Sequence, residues 1–208
     1  MRRLAERGLY EFADICAVLD AASFCHIAHV VDGQPVCTPT LHWRIDDRLY
    51  WHGSIASRML RHSAGTRVCL TATVFDGWVL ARSAFNHSAN YRAVMCFGEP
   101  EKIEDDSRKA RLLEAFTEQR FPGRWAQLRP VTRKELRATT VLTMPLDVAS
   151  AKVRSGPPDD PPRDCAWPVW AGVIPLRQAI LRGEPAAGLP RGVRPPRLAA
   201  RRRRPTSL

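Results

Sequence analysis

The chain has 208 residues, 45% of them hydrophobic and 25% charged, with 32 Lys+Arg against 21 Asp+Glu for a formal net charge of +11. That length suits one domain, or one domain with a tail, and the apolar fraction excludes a wholly disordered chain. No stretch reaches the ~18 apolar residues of a membrane span, and the basic opening runs into a mixed segment, not an apolar signal core, so a cytoplasmic location is expected.

Asp14 to Ala22 places Ile15, Val18 and Leu19 on one face and predicts an amphipathic helix. Phe24 to Val31 reads as a strand, and Asp32-Gly33 as a tight turn that pairs it with Gln34 to Trp43. Asp46-Asp47 marks a second turn before a strand over Arg48 to His52. A short helix follows over Ala56 to Ala64, with Ser54 or Ser57 able to cap it. Two strands, Arg67 to Phe75 and Val79 to Ser83, are expected to form a hairpin around Asp76-Gly77.

Phe85 to Asn90 is polar and reads as a loop, followed by a strand over Tyr91 to Phe97. Asp105 to Phe121 has helical periodicity and an acidic start that suits the helix dipole; Pro122-Gly123 stops it. Thr132 and Glu135 have the spacing of a capping box. Strands are predicted over Thr139 to Leu146 and Ser150 to Arg154, and a last helix from Pro175 to about Arg182.

From Gly183 to Leu208 the chain is rich in Arg, Pro, Gly and Ala, lacks aromatics, and carries seven Arg against one Glu. Such a segment cannot bury enough surface to offset its ordering entropy, so 1–182 is read as the folded domain and 183–208 as a disordered tail. The tail holds +6 of the +11, which moves the nucleic-acid signal away from the fold. Arg (28) far outnumbers Lys (4), a skew that fits a GC-rich genome.

Six to eight short strands in successive hairpins predict a mainly β fold, a small antiparallel barrel with flanking helices. The sequence has no G-x-G-x-x-G, Walker A or G-x-S-x-G. None of the six cysteines forms a C-x-x-C pair, so buried free thiols are expected and no metal site. The stretch Tyr50-Trp-His-Gly-Ser-Ile-Ala-Ser-Arg58 carries the strongest chemical signal. A strand ends in a small-residue turn, and backbone N–H groups, hydroxyls and Arg58 converge as they would on a phosphate. The same pattern also fits a plain capped helix with a surface Arg.

Three segments together resemble the FMN-binding proteins related to pyridoxamine 5′-phosphate oxidase, in particular their nitroimidazole-resistance branch. They are Thr38-Pro-Thr-Leu-His42, Tyr50 to Arg58, and Asn90-Tyr-Arg-Ala-Val-Met-Cys-Phe-Gly98, in the family's order, over about residues 8–180. The resemblance implies a split antiparallel β-barrel and a homodimer with one FMN per protomer at the interface. By position it puts Ser57 and Arg58 on the phosphate, Thr38, Pro39, Thr40 and Leu41 beside the isoalloxazine, and His52 in the cleft as the candidate catalytic residue. Tyr91 and Arg92 close the site from their own or the partner subunit, and Trp170 covers the ring by stacking. Lys152 and Arg154 are further anion candidates. Met59 stands where the oxidase proper has a basic residue, and its C-terminal phosphate-binding Arg signature is not evident, so vitamin B6 oxidation is not expected.

Each of these residues also has an ordinary structural reading, from a satisfied polar His52 to a packing Trp170 or an interface pair at Tyr91-Arg92. His26 and His29 are expected one toward solvent and one toward a polar pocket; His87, in the polar loop, is left out of the flavin site. The leading function is flavin-dependent redox chemistry on a small-molecule substrate. A haem-binding protein on the same barrel, with His26, His29, His52 or His87 as ligand, is the alternative. Nucleic-acid binding through Arg201 to Arg204 comes third, because the tail lacks aromatics for stacking.

Overall fold

The computed structural model describes residues 7–198; Arg201 to Arg204 lie outside them. Ten strands and four α-helices follow one another as β1 (Gly8–Leu9), α1 (Phe12–Ala21), β2 (Phe24–Val31), β3 (Gln34–Ile45), β4 (Arg48–Ser54), α2 (Arg58–Ser63), β5 (Val68–Leu80), β6 (Ser88–Gly98), β7 (Glu101–Lys102), α3 (Asp106–Arg120), α4 (Arg133–Ala138), β8 (Thr139–Pro145), β9 (Val148–Arg154) and β10 (Gly172–Pro175). Every strand pair is antiparallel, in the order β1-β9-β6-β5-β2-β3-β4-β8-β7, with β10 added to β5. The path ends at β1 and β7 rather than closing, which is the split barrel expected. Among the described residues no helix is long and apolar enough to cross a membrane.

Alternation sets the core. Cys25, Ile27, Leu49, Trp51, Leu70, Ala72, Val94 and Cys96 point inward from β2, β4, β5 and β6, and α1 closes the core with Ile15, Val18 and Leu19. A second, smaller core lies on the opposite face of β4, where α3 covers Trp43, Tyr50 and Val141 with Leu112 and Phe116. Consecutive residues of one strand therefore serve different layers, Trp51 the first core and Tyr50 the second.

The turn signals at Asp32-Gly33 and Asp46-Asp47 are obeyed, with positive φ at Asp32, Gly33 and Asp46. Asp76-Gly77 is not a turn. β5 runs straight through it with a bulge between Phe75 and Gly77, and the chain reverses only at 81–87. Gly77, at φ 153°, is required by close approach: a Cβ there would lie 2.6 Å from the Ile174 carbonyl oxygen of β10. A single-turn helix over Ala84–Asn86 and the first residues of β6 replace most of the expected polar loop.

The helix expected from Pro175 is absent. Pro175 instead ends β10, paired with Gly77, and the Leu176 N–H donates to the Asp76 carbonyl. The exposed residues beyond it offer a short helix nothing to bury, so it does not form. The six cysteines are free thiols, but only Cys16, Cys25 and Cys96 are buried; Cys37 and Cys165 are exposed and Cys69 is half-buried.

Two predictions follow from this packing. Gly77→Ala should lower stability by roughly 1–3 kcal/mol, because the backbone of β10 must move; urea unfolding of the variant beside wild type measures it. His42 is buried beneath α1, where its Nε2–H donates to the Leu19 carbonyl, and burial pushes its pKa down to about 4. The unfolded state therefore takes up a proton at higher pH than the folded state. Stability should fall as pH drops from about 6.5 to about 4, by up to roughly 3 kcal/mol from this group. His42→Gln should flatten that dependence.

Candidate functional site

β3 changes partners along its length. Gln34 to Leu41 pair with β2 on one edge, and His42 to Ile45 pair with β4 on the other. Beyond the His42–Trp51 pair the two strands part, and β4 continues through His52, Gly53 and Ser54 on β8 alone. Among the described residues no strand is registered against the β4-side edge of Gln34 to Leu41. The result is a fork. Thr38, Pro39, Thr40 and Leu41 form one prong, with unpaired backbone groups on their inner edge; His52 and the turn to Ser57 and Arg58 form the other.

The second prong is built by a short helix. Ser57 is the N-cap of α2, its Oγ accepting from the Leu60 N–H at 3.4 Å, and Arg58 is the first helical residue. Gly53 lets α2 sit close, since a Cβ there would lie 3.0 Å from Leu60 Cδ1. Arg58 is exposed and takes part in no ion pair among the described residues.

His52 sits at the base of the fork but turns to the other face of β4. Its ring meets Phe116 of α3 at 5.1 Å and Trp43 at 5.7 Å, both edge-on, and its buried Nδ1 has no hydrogen-bond partner. Burial lowers its pKa from the ordinary histidine value, so the imidazole is neutral at pH 7. Thr38 to Leu41 thus lie on one prong and His52, Ser57 and Arg58 along the other, with His52 facing α3 rather than α2.

Tyr91, Arg92 and Trp170 lie elsewhere in the protomer. Tyr91 and Arg92 are on β6, three strands from β3, or about 14 Å away at ordinary strand spacing. Arg92 is engaged by Asp76, its Nε and Nη2 at 2.8 and 2.7 Å from the two carboxylate oxygens. Trp170 is exposed and its ring lies over Gly172, next to β10 and β5. Lys152 is half-buried, whereas Arg154 is buried and bonded to Asn90 and the carbonyls of Gly156 and Pro157, which occupies it. His26 is exposed as expected; His29 is buried with both ring nitrogens unpartnered, on the apolar inner face of β2 and not in a polar pocket.

Asp76, the carboxylate that holds Arg92, had only a turn signal in the sequence. His87, a candidate only under the haem alternative, has its Nδ1 2.8 Å from the Ser83 carbonyl, which fixes the tautomer of the neutral ring. A shallow cleft between α1 and the β8–β9 turn, lined by Tyr10, Phe12, Asp47 and Leu146, lies apart from the fork.

A family model described as pyridoxamine 5′-phosphate oxidase matches residues 11–153, which span α1, the fork and both barrel halves. The chain belongs to that family. Within it, the flavocytochrome Anf3 from Azotobacter vinelandii is 42% identical, with a TM-score of 0.90 over 94% of this chain and 92% of that one. An FAD- and haem-binding protein from Mycobacterium smegmatis is 39% identical, with a TM-score of 0.80 over 88% of this chain and 93% of that one. A Bacteroides thetaiotaomicron protein described as a candidate 5-nitroimidazole antibiotic-resistance protein shares the fold at 22% identity and a TM-score of 0.58, over 70% of this chain and 86% of that one. Among curated proteins no sequence matches the chain.

The Asp76–Arg92 pair gives a test of how Arg92 is used. Asp76→Asn should destabilise the folded chain by roughly 1–2 kcal/mol, since a partly buried guanidinium loses its charged partner. Thermal unfolding of this variant and of Arg92→Met should show similar losses, and the double variant should lose less than their sum.

Proposed function

We propose that this protein is a flavin-binding oxidoreductase that acts on a small molecule, with its flavin seated in the fork between β3 and β4. The observation that carries this reading is the fork itself. An unpaired strand edge offers backbone N–H and C=O groups to a polar ring edge, and an uncommitted Arg58 stands where a phosphate would lie. The names of the two relatives near 40% identity, a flavocytochrome and an FAD- and haem-binding protein, support a flavin. FMN follows from the sequence resemblance and FAD from the second relative's name.

When bound, the flavin supplies the hydride and electron chemistry. The chain positions it and excludes water. In this reading Thr38 to Leu41 bond the ring's polar edge and Arg58 neutralises phosphate charge, while His52, the catalytic candidate of the sequence, packs behind the fork against α3. The free thiols fit a reducing, cytoplasmic setting.

The second element of the proposal is a homodimer. The outward face of the β9-β6-β5-β2-β3 half carries a cross-strand row of Val148, Phe97, Cys69, Ala28 and Cys37, flanked by exposed Met95, Phe24 and Val30. So apolar a face on one side of a sheet calls for a cover, and a second copy supplies it while bringing Tyr91 and Arg92 toward the partner's fork.

The names of the same relatives also support haem, which the sequence offers as the alternative to flavin.

Fluorescence titration with FMN and with FAD tests the flavin site. Wild-type protein should bind at least one of them, and Arg58→Ala should weaken that binding roughly ten- to hundred-fold, as loss of a charge-assisted contact does. Light scattering should give a dimer, and Met95→Glu should shift it toward monomer. Failure to bind either flavin would overturn the reading.

A further inference from the structure

We propose that His87 is an axial ligand for the iron of a haem-type macrocycle, which lies on the aromatic surface formed by β10, β5 and the start of β6. The proposal rests on the haem reading above and names the residue and surface that carry it.

The surface is built by register. β10 pairs with β5 through Gly172–Leu80 and Ile174–Trp78, and β5 pairs with β6 through Trp78–Ala89. Ile174, Trp78 and Ala89 therefore form one outward row across three strands. In the next row Gly172 pairs with Leu80, and His87 directly precedes Ser88, the β6 residue that pairs with Val79. The Trp170 ring lies against Gly172, close enough that a Cβ there would sit 2.9 Å from its Cζ2. Phe75 meets Trp78 edge-to-face at 4.9 Å, and Phe85, two residues before His87, is 92% exposed. An apolar, aromatic surface of this kind, exposed on an isolated protomer, offers rings for a macrocycle to pack against.

His87 is presented as a ligand should be. The Ser83 carbonyl can only accept, so the Nδ1 of His87 carries the hydrogen it donates, and Nε2 is the nitrogen whose lone pair a neutral ring would offer to a metal. The exposed ring makes no further hydrogen bond among the described residues, so Nε2 is open to a metal. The loop that carries it is held at its base, where the Arg82 N–H and guanidinium both donate to Asp160. Ligation needs no redox step: a neutral imidazole nitrogen donates its lone pair to iron.

The other histidines compare poorly. His42 spends Nε2 on Leu19, and His29 has both nitrogens sealed within the barrel. His52 is wedged against Trp43 and Phe116 with its Nδ1 buried and unanchored, while His26 and His62 are exposed without an orienting bond. His87 alone combines a fixed tautomer, an accessible second nitrogen and a flanking aromatic surface. On this assignment Trp170 packs on the macrocycle rather than on the flavin.

The test is a hemin titration of the full-length protein, read by the Soret band and by electron paramagnetic resonance of the ferric form. Wild type should bind hemin with a histidine-ligated spectrum. His87→Ala should bind at least ten-fold more weakly, and added imidazole should restore the spectrum. Flavin affinity and dimer mass should stay unchanged in that variant. Trp170→Ala and Phe85→Ala, which leave the ligand in place, should weaken hemin binding while keeping its spectral type. A wild-type Soret band and affinity in His87→Ala, or their loss in His52→Ala or His29→Ala instead, would overturn the assignment. Wild type that binds flavin but no hemin would overturn it together with the haem reading, and leave the flavin site standing.

Discussion

The structure depends on β3 exchanging one neighbour for the other midway. Its first eight residues are held by β2 and its last four by β4, so each portion has one satisfied edge and one open edge. Backbone groups left open in a protein interior are costly, so both open edges need an answer. Along its second portion α3 satisfies the His42 and Arg44 carbonyls, and the side chains of the same two residues hold the end of α1, His42 on the Leu19 carbonyl and Arg44 on Asp20 at 2.7 Å. On the β4 side the described residues supply no strand, and that unfilled edge, beside the start of α2, is where we propose the flavin sits.

The two hydrophobic layers make the fork rigid. Trp51 and Leu60 fix one face of β4 in the barrel, while Trp43, Tyr50 and Phe116 fix the other beneath α3. α3 is also tied to the strand it covers, with Arg120 donating to the His42 carbonyl and Gln119 to the Arg44 carbonyl. The opening thus lies between elements that cannot collapse into it. The opposite end of the sheet is exposed by a different device, a bulge that keeps β5 running past Asp76 to meet β10. One end offers polar backbone and a cation; the other offers aromatic rings and an imidazole. These are the surfaces that two chemically different redox groups would need.

Much of this was legible in the residues. Alternation placed β2 with its observed bounds, and the capping box at Thr132 and Glu135 is present in full. Asp32-Gly33 was read correctly because both residues take positive φ, the geometry of a two-residue hairpin. Asp76-Gly77 gave the same signal for another reason. Its glycine makes room for a backbone contact with a strand almost a hundred residues later, and no local pattern records that. The fork was legible only through the family's motifs, since which edge of β3 stays open is a property of the sheet order. The commitment of Arg92 to Asp76 and the orientation of His87 depend on side-chain partners that spacing leaves undetermined.

The central claim is that the fork and the aromatic end of the sheet hold redox cofactors. A visible absorption spectrum of the full-length protein as purified, followed by acid extraction and mass determination of whatever is released, tests it most directly. The account predicts a coloured protein that yields FMN or FAD, with a Soret band where haem is also bound. A colourless protein that releases neither, and takes up neither when they are added, would contradict it.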